Sequence, residues 1–406
     1  MAERDKHVGA YPDETPPIYL AYAFRPFFLA LPFYLTLLVV LWGLVYAGAI
    51  ALPVENVLIW HVYELLYGIG AAAVGAFMLT ALPEFFPGVM PVIGRRLAAF
   101  VGLWVAARIA FWGMALWGAW PAFVLNALFM AILIGWVAGP ILADPLKRHR
   151  GLFAIVGLLL ALQIGFFLAL IGFASFDPMA VLKLAISGFM MLELAALRRV
   201  ATGVGNMVLE QQQSSETFLA KPFRYNLAIF AVALFGAVEF FAPQSAMLGW
   251  LGLAAMAFTL GAVNDYFLEE THLFKAPIMI YLFLIALLLA AGYGAMGAAH
   301  LLDRPDTVET LRHLLTTGVF GLSIYVVMLV VGRVHTGREM ETTAQMGIGV
   351  ALILAAVFVR VYLPLAGVYS PWIHTVSALL WSAPFLWYLR WFGKILLSPR
   401  ADGLPG

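Results

Sequence analysis

The sequence predicts an all-α fold, a polytopic transmembrane helix bundle of about twelve helices with both termini in the cytoplasm. Hydrophobic residues make up 64% of the 406-residue chain and charged residues 11%, whereas a soluble domain is nearer half apolar and a quarter charged. Apolar runs alternate with short polar breaks, and each run is long enough to cross the ~30 Å hydrocarbon core of a bilayer. The lipid bilayer is therefore the first expected partner.

The helices are assigned in chain order from these apolar runs. The twelve predicted spans are 27–49, 57–82, 97–118, 121–143, 151–174, 179–201, 224–243, 246–268, 276–300, 308–332, 344–366 and 371–395. Asn264 and Asp265 interrupt the eighth run. Residues 1–24 are a polar, proline-containing tail, and the segment 202–223 is the longest break, a cytoplasmic loop. Residues 1–406 are predicted to form a single integral membrane domain.

Positive charge predicts the orientation of the helices. Loops after the even-numbered helices contain Arg95, Arg96, Lys147, Arg148, Arg150, Arg198, Arg199, Lys221 and Arg224. Loops on the opposite side contain essentially one cation, Arg304. Because loops rich in lysine and arginine stay in the cytoplasm, both termini are predicted to be cytoplasmic.

Charge and cysteine content exclude several classes of site. The formal net charge is +1, so no strongly basic field indicates a nucleic-acid partner. The chain has no cysteine, which excludes disulfides, iron–sulfur clusters, thiolate ligation of haem and covalent attachment of a c-type haem. A metal would have to be bound by His, Met, Tyr, Asp, Glu or backbone atoms.

Four histidines map near helix ends on one side of the predicted bundle. His61 opens the second helix, His313 the tenth and His374 the twelfth, while His300 closes the ninth. The predicted orientation places all four toward the outer leaflet. Imidazole in or beside lipid is rare, so several at a common depth indicate a metal or haem site.

His61 and Glu64 are three residues apart, which places them on one face of a helix. A carboxylate beside an imidazole orients the ring, fixes its tautomer and strengthens it as a ligand. The alternative is an interfacial belt of Trp60, His61 and Tyr63 with one snorkelling glutamate. Both interpretations stay open at the level of sequence.

Three cations extend the outer site. Arg312 precedes His313, and a guanidinium pairs with a haem propionate in a bidentate way. Lys183 and Arg360 interrupt apolar runs toward the outer side and could pair with the same groups. Snorkelling or ion pairs within the protein are the alternative for these cations. His374 is a further candidate ligand, unless it belongs to the aromatic belt of its helix.

Several weak motifs occur together along the chain. They are residues 24–28, Trp60 and His61 with Glu64, the run to Leu82 and Pro83, Arg108, residues 311–313 with Gly318, residues 335–338 and residues 400–403. In their order and spacing the sequence resembles the NnrS family of bacterial membrane proteins over its whole length. It departs from the family at Tyr63, where a second histidine is usual, and at 197–202, which replaces a Gly-Gly-Arg-Val-Ile-Pro segment.

This resemblance implies a twelve-helix protein of the bacterial cytoplasmic (inner) membrane that contains haem and copper. It also implies a role in nitric oxide metabolism or protection from nitrosative stress, with nitric oxide as the ligand. His61, His313 and His335 are the matching histidines and, with His374, the candidate metal ligands. We expect a non-covalent, b-type haem bound first by His313, then by His61, with His374 as the alternative, and copper as a further candidate.

Two other functions stay open. A quinol-linked haem or haem–copper reductase of nitric oxide or O2 would also have twelve helices, but two haems and a three-histidine copper need about six histidines. A proton-coupled secondary transporter would use Glu64, Lys183, Glu193 and Asp265 as a path and would contain pairs of broken helices. No catalytic residue is assigned; as an enzyme, the protein would be a haem-dependent oxidoreductase acting on nitric oxide.

Overall fold

A computed structural model describes residues 11–268 and 272–406 of the chain. Within these ranges the secondary structure is helical and contains no strand, which confirms the predicted all-α class. The first ten residues of the predicted polar tail lie outside the described residues.

Twelve long helices in the described ranges coincide with the twelve predicted runs. They are α1 (Phe24–Tyr46), α2 (Val57–Phe85), α3 (Gly94–Trp112), α4 (Trp120–Ala143), α5 (Arg150–Leu170), α6 (Pro178–Gln211), α7 (Pro222–Phe241), α8 (Met247–Tyr266), α9 (Pro277–Leu301), α10 (Pro305–Val334), α11 (Ala344–Leu365) and α12 (Ile373–Leu396). Ten of them are long and apolar enough to cross a membrane, α3 and α12 being the exceptions. The chain is thus a multi-pass membrane protein, while twelve crossings and cytoplasmic termini stay predictions.

Contacts between Cα atoms divide the predicted membrane domain into two compact units. Unit 1 consists of Met1–Leu182, Val327–Glu341 and Ser382–Gly406. Unit 2 consists of Lys183–Val326 and Thr342–Trp381. Helices α6, α10 and α12 contain residues of both units.

Local signals explain where several helices begin. The side chain of Asn56 caps α2, since its Oδ1 accepts hydrogen bonds from the backbone N–H groups of Leu58 and Ile59, both at 3.0 Å. Pro222 and Pro277 are the first residues of α7 and α9. Proline is favoured there because the first helical N–H has no partner within the helix.

Close packing in unit 2 depends on glycines. A Cβ atom on Gly252 of α8 would lie 2.6 Å from the carbonyl oxygen of Tyr293 and 2.7 Å from the Cα of Gly297, both in α9. Small residues allow helix backbones to approach in this way in a membrane, where van der Waals packing drives association.

Three helices of the described chain contain a π-helical turn, which is rare and frequently marks a functional site. The turns are Glu64–Ile69 in α2, Leu314–Phe320 in α10 and Phe358–Tyr362 in α11. The first begins at Glu64, the second directly follows His313 and the third contains Arg360. The three π-turns therefore lie at three of the candidate site residues.

The predicted break at 202–223 is shorter in the structure, because α6 continues to Gln211. Asn206 of α6 holds the next segment of the chain: its Nδ2 donates to the carbonyl of Phe218 at 3.0 Å, and its Oδ1 accepts from the Phe218 N–H at 2.9 Å. Asp265, at the end of α8, accepts from the Lys221 N–H at 2.8 Å and from Arg224 Nη1 at 2.7 Å. The polar interruption predicted in the eighth run is thus an anchor for the start of α7.

Candidate functional site

His313 of unit 2 is held through both ring nitrogens. Its Nδ1 lies 2.8 Å from the carbonyl oxygen of Glu309, one turn earlier in α10, and its Nε2 lies 3.1 Å from Nη2 of Arg360 in α11. A carbonyl only accepts and a guanidinium only donates. The two contacts therefore assign the proton to Nδ1 and the lone pair to Nε2, the arrangement of a metal-ligating histidine whose other nitrogen is fixed.

Packing between α10 and α11 positions this pair. Val357 and Val361, which flank Arg360 in sequence, are buried together with Leu314 of α10. His374, at the start of α12, is half-buried and lies within electrostatic range of Arg360. Unit 2 thus places Arg360 near two of the predicted ligand histidines.

The other two predicted propionate partners are paired with carboxylates. Arg312, which is 5% exposed, binds Glu239 through Nη2 at 2.5 Å and Nη1 at 3.2 Å, and its Nε lies 3.1 Å from Glu309. Lys183 binds the other carboxylate oxygen of Glu309. A buried charge such as that of Arg312 requires partners of this kind. Arg312 and Lys183 therefore form ion pairs within the protein, and Arg360 is the cation that contacts His313.

His61 of unit 1 stacks on the ring of Trp42, with centroids 3.9 Å apart and planes at 11°. Glu64 does not orient this ring. Its Oε2 instead accepts hydrogen bonds from Arg108 Nη1 at 2.7 Å and from the Tyr34 hydroxyl at 2.8 Å. In the structure, therefore, Glu64 is paired with Arg108 and Tyr34, whereas His61 stacks on Trp42.

Arg108 and Glu64 form a buried ion pair, with side chains 6% and 0% exposed. Arg108 also donates through Nη2 to Oδ1 of Asn126 in α4. A Cβ atom on Gly68 would collide with Glu64 Oε2 and would lie 2.7 Å from Arg108 Nη1. Glycine at this position therefore lets the guanidinium reach the carboxylate.

Tyr63, where the family usually has a second histidine, belongs to an aromatic core. It is completely buried and stacks on Phe111 and Phe166, with centroid distances of 4.1 and 4.7 Å. Gln163 Nε2 donates to its hydroxyl at 3.1 Å. A phenol packed in this way contributes to the joint between α2, α3 and α5 and offers no imidazole to a metal.

His335 lies in a different part of unit 1, after α10. Its Nδ1 is 3.4 Å from Oε1 of Glu84, and its ring stacks on Tyr22 with centroids 6.2 Å apart. Its carbonyl oxygen accepts from Arg400 Nη1 at 3.1 Å. The predicted ligand His335 is thus placed with a carboxylate, an aromatic ring and a cation as neighbours.

The segment around Arg400 docks beside His335. The Ala401 N–H donates to the carbonyl of Thr336 at 2.9 Å, and Arg400 Nη2 binds Asp402 at 2.6 Å. This hydrogen bond from Arg400 lowers the pKa of Asp402 to about 2. Gly337 has φ +70°, and a Cβ there would lie 2.5 Å from Asp402. Motifs far apart in sequence, at 335–338 and 400–403, therefore form one contact.

The candidate ligands of the described residues lie apart from one another. Across residues 11–268 and 272–406, no three or more His, Asp or Glu side chains gather as a metal site. His313 and His374 lie in unit 2, whereas His61 and His335 lie at separate places in unit 1. A haem iron needs only one or two axial side chains, and the oriented lone pair of His313 meets that requirement.

Sequence reasoning missed several residues that complete these clusters. Glu309 is exposed near the start of a helix, where a carboxylate is common and attracts no notice. Tyr34 lies in an apolar run, where the sequence gives no sign of a polar partner. Asn126 is a polar residue inside the apolar run of α4. That interruption was the signal in the sequence that could have indicated a buried polar contact. The partners of Arg312 and Arg108 could have been sought among such interruptions.

A family model described as NnrS protein matches residues 18–400, nearly the whole chain and both units. No curated protein and no solved structure matches the chain significantly. The matched range contains His61, Arg108, His313 and His335. The chain belongs to the NnrS family.

Proposed function

We propose that this protein is a haem-binding protein of the bacterial cytoplasmic membrane that handles nitric oxide, in its metabolism or in protection from nitrosative stress. Membership of the NnrS family suggests a role linked to nitric oxide metabolism, and ten apolar helices suit a lipid environment. Nitric oxide is small and uncharged, so it enters a bilayer readily. The proposal covers a non-covalent, b-type haem, because the chain has no cysteine.

One observation supports the haem site most directly, namely the ring of His313. Its Nδ1 is fixed on the Glu309 carbonyl and its Nε2 lone pair points at Arg360. When bound, a haem would supply an iron that can bind nitric oxide. His313 would hold that group through Nε2, and His374 is a further candidate ligand.

Arg360 has two roles in this proposal. Without a ligand it occupies the Nε2 lone pair of His313 and keeps the ring neutral and oriented. With a ligand it must leave that lone pair, and its guanidinium then becomes available to a carboxylate such as a haem propionate. Arg312 and Lys183 stay paired with Glu239 and Glu309 in both situations. Copper stays a further candidate cofactor, with His61, His313, His335 and His374 as its candidate ligands.

The test is an absorption spectrum of protein purified from haem-replete cells, with pyridine haemochrome analysis. We expect about one haem per chain and a Soret band that shifts when nitric oxide is added. His313→Ala should lose most of the haem. His335→Ala is the matched control, a histidine in unit 1 beside Glu84, and it should retain the haem.

Two results would contradict the proposal. Full haem content in a His313→Ala/His374→Ala double variant would show that these two histidines are not the haem ligands. A colourless wild-type protein would instead favour transport across the membrane. Quinol-dependent loss of nitric oxide in a haem-containing preparation would identify a haem-dependent oxidoreductase rather than a sensor or a store.

A further inference from the structure

A tyrosine of α1 has an unusual set of partners inside unit 1. The Tyr34 hydroxyl donates to Oε2 of Glu64 at 2.8 Å and accepts a hydrogen bond from Trp112 Nε1 at 2.9 Å. Its ring meets Trp104 edge to face, with centroids 5.5 Å apart. The phenol is therefore held on a carboxylate, within the distance that proton transfer requires.

Glu64 is arranged to receive a proton. Arg108 and Tyr34 both donate to Oε2, while Oε1 is buried and has no hydrogen-bond partner among residues 11–268 and 272–406. If Oε2 gained the phenolic proton, Oε1 could accept the hydrogen bond from Arg108 after a small rotation. The protonated carboxyl group would thus keep its guanidinium partner.

The chemistry of phenols explains why this geometry matters. Removing one electron from a tyrosine makes its hydroxyl strongly acidic, so oxidation proceeds easily only where a base takes the proton. Water is scarce inside a membrane bundle, and unsatisfied polar groups there are costly. A positioned side chain within about 2.6–3.2 Å is then the acceptor that matters, and a carboxylate is a far stronger base than a backbone carbonyl.

We propose that Tyr34 is a proton-coupled redox site, which loses an electron to a lipid-soluble oxidant of the nitrogen dioxide type while its phenolic proton passes to Glu64. Nitrogen dioxide gains the electron and becomes nitrite, and the O–H bond of Tyr34 is the bond that breaks. A tyrosyl radical and a protonated Glu64 remain. This site depends on unit 1 alone and is independent of the haem site of the proposed function.

The oxidant fits the location. Nitrogen dioxide forms when nitric oxide reacts with oxygen, is small and uncharged, and concentrates in lipid. Tyr34 is half-buried on α1, so part of this residue is open to such a molecule. A second nitrogen dioxide can then form a C–N bond at the ring carbon next to the hydroxyl, and loss of the ring proton gives 3-nitrotyrosine. The stable product records where the radical formed.

Two tyrosines are matched controls. Tyr67, also in unit 1, donates its hydroxyl to the carbonyl of Leu159 at 2.9 Å and is 1% exposed. Tyr362 of α11 is 54% exposed and is therefore easier to reach than Tyr34. If access alone decided the reaction, Tyr362 would be modified first; if the proton acceptor decides it, Tyr34 is modified first.

The experiment exposes the full-length protein in lipid nanodiscs to limited nitrogen dioxide and maps 3-nitrotyrosine by peptide mass spectrometry. We expect Tyr34 to be nitrated at least about fivefold more than Tyr362 or Tyr67, in line with the gain from a positioned base. Glu64→Gln should bring Tyr34 down to the level of Tyr362. Equal nitration of Tyr34 and Tyr362, or no effect of the Glu64 substitution in a folded variant, would overturn the proposal.

A second measurement covers the case in which Glu64→Gln does not fold. Samples frozen after brief oxidation are examined by electron paramagnetic resonance. Wild-type protein and Tyr67→Phe should show a tyrosyl radical, and Tyr34→Phe, which removes a single hydroxyl, should lack it. A radical signal that persists in Tyr34→Phe would place the oxidised residue elsewhere and contradict the assignment.

Discussion

Units 1 and 2 each bury charge in an apolar environment, and they do so differently. In unit 1 the pair of Glu64 and Arg108 is completed by neutral donors and acceptors, Tyr34 and Asn126. In unit 2 Arg312 has two carboxylate partners, and a separate guanidinium, Arg360, contacts a neutral imidazole.

The difference concerns what must move before a ligand can bind. The ion pair of unit 1 leaves neither charge available to an external group. The contact between Arg360 and His313 joins an N–H donor to a lone pair. Each group can bind a different partner more strongly, because the guanidinium of Arg360 prefers a carboxylate and the Nε2 of His313 prefers a metal. A buried ion pair is typical of structure, whereas a cation held on a histidine is typical of a ligand site.

Removing Arg108 should have the largest effect. Arg108→Met leaves the carboxylate of Glu64 buried without its charge partner, which should lower the free energy of unfolding by about 3–5 kcal/mol. Unfolding in detergent, followed by circular dichroism, measures the change. The double variant Arg108→Met/Glu64→Gln should recover part of the loss. An Arg108→Met protein as stable as wild type would mean that unit 1 does not depend on this pair.

Replacing Arg360 should have an intermediate effect. It should change the affinity for haem compounds, and the direction of the change should depend on whether the compound has free propionates. Arg360→Gln removes the guanidinium from the Nε2 of His313, so it should raise the affinity for haem dimethyl ester, which lacks free propionates, by about tenfold. The same change should not raise the affinity for haem itself, because a propionate partner is lost. Titration of the apoprotein with both compounds measures this. Equal changes in the affinity for haem and for haem dimethyl ester would contradict the two roles assigned to Arg360.

Replacing Lys183 should have the smallest effect. Its partner Glu309 is 57% exposed and Lys183 itself 32%, so solvent screens the ion pair and Lys183→Met should cost less than about 1 kcal/mol. Thermal unfolding of the Lys183→Met and Arg108→Met variants under the same conditions compares their two losses of stability directly. If Lys183→Met lost as much stability as Arg108→Met, the ion pair of Lys183 and Glu309 would be as well shielded from solvent as the pair of Arg108 and Glu64.

The helices were predictable because the signal for a membrane helix is local. A run of apolar residues must form its own backbone hydrogen bonds in lipid, so α1 to α12 coincide with the predicted runs. The extension of α6 to Gln211 was not predicted, since its last turns are polar. There Thr202 and Asn206 bind the next segment at Ala220 and Phe218, and this non-local contact supports the helix.

The candidate residues were partly predictable, and their partners were not. Glu64, Arg312, His313 and Arg360 stand out because charge and imidazole are rare in apolar runs. Which groups meet depends on the rotation and register of neighbouring helices, which hydrophobic patterning leaves undetermined. Arg312 thus pairs with Glu239, and Glu64 pairs with Arg108 of α3, two contacts that the sequence did not predict.

The three π-turns also have a meaning for the history of the chain. A π-turn amounts to one residue inserted into an α-helix, and each inserted residue rotates the remainder of that helix by about 100°. Alignment with relatives that lack a given turn should therefore open a single-residue gap within 64–69, 314–320 or 358–362. Each insertion would have changed, in one step, which side chains a helix presents to its neighbours.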